Sequence, residues 1–391
     1  MRWALVGLFS VPRARRVLPA VAFLVGLGFA VCSGCKTTAT AGGWHQVRLG
    51  LCEDYPEESR TVAAARRDLA FVQQSGAKVL RIAFGWDAME PSQGKFDWSF
   101  WDDVVAAAHD EYQIELIPYL CYTPRWAATD AGENFWRSPP RDNTAFAEFV
   151  EAAVHRYRDR IHSWELWNEP DNASYWLGTR EQFASLVKAG AAAVRRADPS
   201  AKIVLGGIAT NLDFLRALFR DDHLAPFVDI VNFHSYLETW HGDAIEQLTP
   251  TIRQVAQIVR NFGENEPLWL AEAGYSSVGA RPQTSDFYRP HYRDEHTEAA
   301  QARALIRTVV LAECSGSLST VAWYRIHDLP PGETVIGDDN NRHLGLIGSD
   351  GKEKPAARAF AQLASFFSTL PRIARGASWR TFAVTRRGPP D

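Results

Sequence analysis

Two glutamates stand at the ends of short aromatic and aliphatic runs about a hundred residues apart. Glu169 closes Trp164-Glu165-Leu166-Trp167-Asn168-Glu169-Pro170, and Glu272 lies in Trp269-Leu270-Ala271-Glu272-Ala273-Gly274. Hydrolysis of a glycosidic bond uses such a pair: a carboxylic acid protonates the leaving oxygen while a carboxylate works on the other side of the anomeric carbon. If the two carboxyls stand about 5–5.5 Å apart, the second attacks as a nucleophile and configuration is retained. Taken singly, either Glu could equally cap a strand or pair with an Arg. Glu165, two residues before Trp167 on the same run, is expected to point into the interior below the site and pair there. His291, Asp294, Glu295 and His296 are metal-ligand types, but their spacing fits no motif and reads as a solvated loop.

The elements that must position these carboxyls alternate strand and helix. β-Branched or aliphatic runs occur at Val47–Leu51, Val79–Phe84, Ile114–Tyr119, Ser163–Trp167, Ile203–Gly206, Ile230–Phe233, Leu268–Ala271 and Thr320–Tyr324. Between them, Phe146, Phe149, Val150, Ala153, Val154 and Tyr157 share one helical face, and a capping box of Thr179 with Gln182 opens a helix that Asp198-Pro199 stops. Further helices are expected at 61–75, 99–110, 212–220, 244–262, 297–314 and 355–369. Eight strands with eight helices predict a (β/α)8 TIM barrel in one domain, 46–370. A doubly wound sheet would show a glycine-rich turn after its first strand, where this chain has Leu51-Cys52-Glu53-Asp54-Tyr55. The longest connections, Tyr122 to Arg141, Ala273 to His296 and Ile326 to Lys352, all follow strand C-terminal ends, the rim on which barrel active sites form.

The ends of the chain carry a different signal. Residues 1–16 hold four Arg and no acid, and an apolar run from Val17 to Val31 follows, too short to span a bilayer comfortably. Residues 1–34 therefore read as a signal peptide. Ser33-Gly34-Cys35 resembles a bacterial lipobox, making Cys35 a lipid-modified N-terminus on a short tether, 35–45, although Cys32 holds the place where an aliphatic residue is expected. The expected location is the cell envelope, or secreted if cleavage is of the ordinary kind. Loss of those four Arg takes the net charge from −4 to −8. Neither that acidity nor the 46% hydrophobic content fits a nucleic-acid-binding or disordered chain. Cys52 and Cys121 could form a bridge in an exported protein, if their backbones approach. Residues 371–391 form an Arg-rich extension, with an outer strand expected at Trp379–Thr385.

Asn168-Glu169-Pro170 after an aromatic strand, with Glu272 later, resembles the retaining glycoside hydrolases of clan A, most nearly family 39 and the cellulase-like proteins of family 5. The resemblance runs from about Val47 to Phe367. It includes Leu80-Arg81-Ile82, Trp86-Asp87-Ala88-Met89-Glu90-Pro91, Tyr122-Thr123-Pro124-Arg125-Trp126-Ala127 and His234-Ser235-Tyr236. It implies that Glu169 is the acid/base and Glu272 the nucleophile. It implies further that Arg81 keeps Glu272 ionised by lowering its pKa, that Asn168 bonds the sugar 2-hydroxyl, that His234 and Tyr236 shape the scissile subsite, and that Trp323 is the sugar platform. Tyr236 or Tyr275 could donate to Glu272. Trp86 and Trp126 are candidate stacking residues at other subsites, and several rim Trp favour an open groove. Phe96 and Trp98 are expected to pack the second loop. No metal or cofactor is required, and the implied partner is an oligosaccharide or polysaccharide. A barrel that only binds carbohydrate, or a transglycosidase using the same site, are the alternatives.

Overall fold

The computed structural model describes residues 47–54, 61–209, 211–279, 296–332, 335–336 and 338–369. Chain contacts separate Met1–Gly42 from Gly43–Asp391. The first unit lies outside the described residues, and with it the expected signal segment and lipobox; the tether and the C-terminal extension with its Trp379–Thr385 strand lie outside them too.

Eight strands form: β1 (Arg48–Glu53), β2 (Val79–Gly85), β3 (Glu115–Cys121), β4 (Ser163–Asn168), β5 (Lys202–Ile208), β6 (Ile230–Ser235), β7 (Leu268–Ala273) and β8 (Leu318–Tyr324). Each pairs in parallel with the next, and β8 closes onto β1, giving the expected (β/α)8 barrel. Parallel neighbours need a crossover, which α-helices supply. These are α1 (Val62–Ser75), α2 (Ser99–Ala106), α3 (Asn143–Tyr157), α4 (Arg180–Ala197), α5 (Leu212–Arg220), α6 (Leu248–Phe262), α7 (Glu298–Ser315) and α8 (Pro355–Thr369). Helix α4 shows the local logic. Thr179 and Gln182 exchange the two bonds of a capping box, Phe183, Leu186, Val187, Ala191 and Val194 are buried, and the helix ends at Asp198 before Pro199.

Seven strands run one or two residues past their expected ends, and in β1, β4, β6 and β7 the added residues include buried polar groups: Glu53, Asn168, His234, Ser235 and Glu272. Inside the barrel, Val79, Ile117, Val204, Ile230, Trp269 and Ala271 form a plug. The larger core lies between barrel and helices. Cys52, Tyr236, Ala322, Tyr324 and Leu344 form a third cluster near the rim.

Which side each residue faces overturns several expectations. From Val321 to Tyr324 β8 alternates: Val321 and Trp323 join the outer core, while Ala322 and Tyr324 face inward. Trp323 is therefore packed among helix side chains and is not the sugar platform; Tyr324 holds the inward position. Trp86 is likewise fully buried, stacked on Phe149 of α3 at 5.7 Å, with Nε1 donating to Glu90 Oε2 at 2.7 Å. Cys52 faces inward and Cys121 outward on strands separated by β2, so the two form no bridge with each other. Phe96 and Trp98 stack at 4.9 Å and lean on Tyr157 of α3, as a packing role requires. His296 is buried against Tyr275 at 4.8 Å, where a solvated loop was expected; His291, Asp294 and Glu295 lie outside the described residues.

Trp323→Ala should lower stability by about 3–5 kcal/mol in denaturant unfolding. Trp323→Phe should leave KM for a cleaved glycoside unchanged, whereas a sugar platform would show its loss in KM.

Candidate active site

Arg81, on β2, is buried and inward-facing, and its guanidinium organises the C-terminal rim. Nε donates to Glu165 Oε2 at 2.7 Å and Nη2 to Glu165 Oε1 at 2.8 Å, a two-pronged pair from β2 to β4. Nη2 also donates to Asn168 Oδ1 at 2.6 Å, and Nη1 to Glu272 Oε2 at 2.8 Å. The guanidinium lies 4.2 Å from the centre of the Tyr119 ring. Glu165 is thus the internal partner its position on β4 predicted; it also accepts from Gly207 N at 2.9 Å and Asn232 Nδ2 at 3.0 Å. With Oδ1 of Asn168 taken, its amide nitrogen is the end left for a ligand.

Two breaks in strand alternation aim the glutamates. On β4, Glu165 faces in and Leu166 out, so Trp167 should face in; instead it packs outward against Phe146 and Trp176. Trp167 has φ of 76° and Glu169 of 44°, left-handed conformations that cost about 1–3 kcal/mol each for such residues and recur at functional sites. They turn Asn168 and Glu169 to the cleft. On β7, Ala271 belongs to the interior plug and Ala273 to the outer core, and the pairing with β8 shifts between Leu270 and Ala273. That irregularity rotates Glu272 inward. A second shift, between Phe233 and His234, sets His234 opposite Glu272.

His234 Nδ1 stands 2.8 Å from Glu169 Oε1 and 3.7 Å from Glu272 Oε2. Burial lowers its pKa, so the ring is neutral near pH 7. Its Nε2 has no partner among the described residues, and Nδ1 is the nitrogen that meets Glu169, donating to it when that carboxyl is ionised. Glu169 Oε2 accepts from Asn172 Nδ2 at 2.8 Å. Tyr236 donates to Glu272 Oε1, and the Tyr275 ring stacks on His296. Trp126 is half-buried at the edge of Trp86, with Nε1 donating to Glu90 O at 2.8 Å.

Burial is the largest influence on both carboxyls. It raises the Glu169 pKa to about 8, helped by the nearby charge of Asp171 and opposed by the Asn172 bond. The Glu272 pKa is also raised by burial, with His234, Arg81 and Tyr236 opposing. Arg81 thus restrains the rise without bringing Glu272 below its ordinary value, a correction to the expected depression. One donor atom each from Glu169, His234 and Glu272 lie within 4.8 Å of one another, close enough to share a cation. Arg81 and Tyr236 already occupy Glu272, so a metal would have to displace hydrogen bonds that suit a proton-transfer pair.

Comparison with known proteins places this arrangement. Residues 58–301 match the family model for cellulase, glycosyl hydrolase family 5. The chain belongs to glycosyl hydrolase family 5. Among curated family-like proteins, an endo-1,4-beta-xylanase from Agaricus bisporus is 31% identical over 174 residues, 40% of this chain and 47% of that protein. A beta-galactosidase from an Arthrobacter species is 32% identical over 93 residues, 23% of this chain and 13% of that protein. The matches thus span less than half the length of these relatives. A family 39 glycoside hydrolase from Bacteroides cellulosilyticus superposes with a TM-score of 0.64 at 19% identity, over 83% of this chain and 64% of that one. A GH5_18 protein from Streptomyces cattleya, solved with GlcNAc, gives 0.62 at 16%, over 84% and 82%. These structures share the fold.

Gly207 was not singled out in the sequence, yet this family 5 barrel depends on it at the site. Its N–H bonds Glu165, its carbonyl accepts from Glu169 N at 3.0 Å, and a Cβ there would fall 1.9 Å from His234 Nε2. Gly207→Ala should displace His234 and cut kcat at least about tenfold while the protein stays folded by circular dichroism.

Proposed function

We propose that the protein is a retaining glycoside hydrolase in which Glu272 is the nucleophile and Glu169 the acid/base. The observation that carries this is the pairing of Glu169 and Glu272 oxygens within 4.8 Å across one buried cleft. Inverting enzymes hold their carboxyls about 6.5–9.5 Å apart to admit a water between acid and base. Glu272 attacks the anomeric carbon, forming a glycosyl ester, as Glu169 gives its proton to the departing oxygen. Glu169, then ionised, takes a proton from the water that attacks the ester, and Glu272 leaves. The Nδ1–H of His234 and the Asn172 amide donate to Glu169 in that second role, while burial keeps the proton on it for the first. Arg81 and Tyr236 hold Glu272 with two donors that leave its position fixed. Asn168 offers its amide N–H to the sugar 2-hydroxyl.

The xylanase and beta-galactosidase relatives support a neutral sugar of the xylan or galactoside type as substrate. The burial of Trp86, Trp167 and Trp323 removes the argument for an open groove that rested on rim tryptophans. The N-terminal segment supports an exported protein anchored through Cys35, which mass spectrometry of the mature N-terminus would check by finding or missing a diacylglyceryl group.

Glu169→Gln and Glu272→Gln should each lower kcat on aryl glycosides by at least about a thousandfold, and a 2-fluoro glycoside should label the native protein on Glu272; full activity in either variant would sink the assignment. The pH profile carries a second test. An acid with a pKa of about 8 is protonated below it, so kcat/KM should fall as pH rises through about 8. The folded-state pKa is raised, so ionisation also destabilises the fold above the ordinary carboxyl range. Glu169→Gln should therefore gain melting temperature over the native protein as pH rises from about 5 to about 8, and no further above that.

A further inference from the structure

Asp54 follows the last residue of β1 and is half-buried on the rim. Two tyrosines from different strands converge on its carboxyl: Tyr119 of β3 donates to Oδ1, and Tyr324 of β8 donates to Oδ2 at 3.0 Å. Tyr119 reaches past β2 because the β2 residue beside it in register is Ala83. Both tyrosines also touch the residues around Glu272. The Tyr119 ring lies against Arg81, which donates to Glu272, and Tyr324 packs edge-on at 6.3 Å against Tyr236, which donates to Glu272 from the other side. Asp54 thus occupies the β8–β1–β2 flank of the cleft, opposite the β4 flank that carries Glu169. The leaving group departs towards the proton donor, so the ring whose anomeric carbon Glu272 attacks sits on the Asp54 flank.

We infer that Asp54, oriented by Tyr119 and Tyr324, recognises hydroxyl groups of the glycone ring, so that the site takes neutral sugars and rejects uronic acids. This deepens the hydrolase reading of the same site and rests on it. A half-buried carboxyl held by two phenols keeps lone pairs for sugar hydroxyls, which are donors, and two fixed partners remove the freedom it would otherwise lose on binding. A uronate carboxylate placed against it would meet a like charge in a site already holding Glu272 and Glu169. Among the described residues of that flank, Arg325 is committed to Glu53 and to the Asp54 carbonyl. Cys52, one pleat below, is a neutral thiol donating to Ala271 O at 3.0 Å and offers no positive charge.

The test uses the full chain, with 4-nitrophenyl β-D-xyloside, β-D-galactoside and β-D-glucuronide as cleavage probes and free xylose, galactose and glucuronate as thermal-shift ligands. The native protein should favour the better neutral glycoside over the glucuronide at least about a hundredfold in kcat/KM. Asp54→Asn should lower kcat/KM on the neutral glycoside about tenfold or more and shrink the ratio to the glucuronide. Tyr324→Phe, which keeps the ring packing and removes one donor, should shift the ratio in the same direction by less. A structural role alone would lower the melting temperature of Asp54→Asn without moving the ratio, and that result overturns the inference. Cleavage of the panel with an unchanged ratio leaves the hydrolase assignment standing and removes Asp54 from recognition. Thermal shifts selective for neutral sugars and abolished in Asp54→Asn, with no cleavage of any probe, would support recognition and remove the hydrolase assignment. No cleavage and no selective shift would overturn both.

Discussion

The rim of this barrel depends on one buried cation. Arg81 brings together Glu165, Asn168 and Glu272 from two other strands and lies against Tyr119 of a third. A guanidinium without such partners would be costly to bury, since removing one member of a buried pair typically costs about 3–5 kcal/mol. The strands that bear the carboxyls are therefore held at fixed positions by the same contacts that compensate the charge. Stability and site geometry share those bonds. The second anchor on this rim, the Arg325–Glu53 pair between the β8 end and β1, leaves Arg81, among the described residues, as the guanidinium paired with Glu272.

Around that cation the two glutamates diverge in chemistry through their donors. Glu272 takes a charged donor and a phenol, and Glu169 a neutral imidazole and an amide. Both are buried, so both pKa values rise, but the charged donor opposes ionisation of Glu272 being lost, while Asp171 pushes Glu169 further up. Unequal surroundings of this kind are the general way two carboxyls are driven to different protonation states at one pH. Gly207 supplies the spatial condition, since the imidazole of His234 occupies the volume that any side chain at 207 would fill.

Much of this was legible in the sequence because it follows from period and order. Eight aliphatic runs separated by helical patterns dictate a parallel barrel, and strand ends followed by long loops dictate the rim that carries the site. Glu169, Glu272, Asn168, His234 and Tyr236 meet on one rim because they sit at or beside those ends, and Arg81, inside β2, reaches them from below. The aromatic residues were misread. Abundance of Trp says nothing about direction, and Trp86 and Trp323 are large enough to be wanted by the outer core, which is where they pack. Alternation from Val321 to Tyr324, with Ala322 facing the interior, would have turned Trp323 outward and Tyr324 inward.

The sequence by itself determined the fold class, the strand order and which carboxyls reach the rim, because hydrophobic periodicity and motif placement are local properties. Only the tertiary structure decided which way the decisive residues face. A positive φ at Trp167 and register shifts on β6 and β7 reverse the expected alternation, and these arise where strands must match neighbours around a closed barrel. It also decided the surroundings of Asp54, on whose carboxylate Tyr119 and Tyr324, 65 and 270 positions away in the chain, converge. Such convergence is set by barrel closure, and no spacing along the chain encodes it.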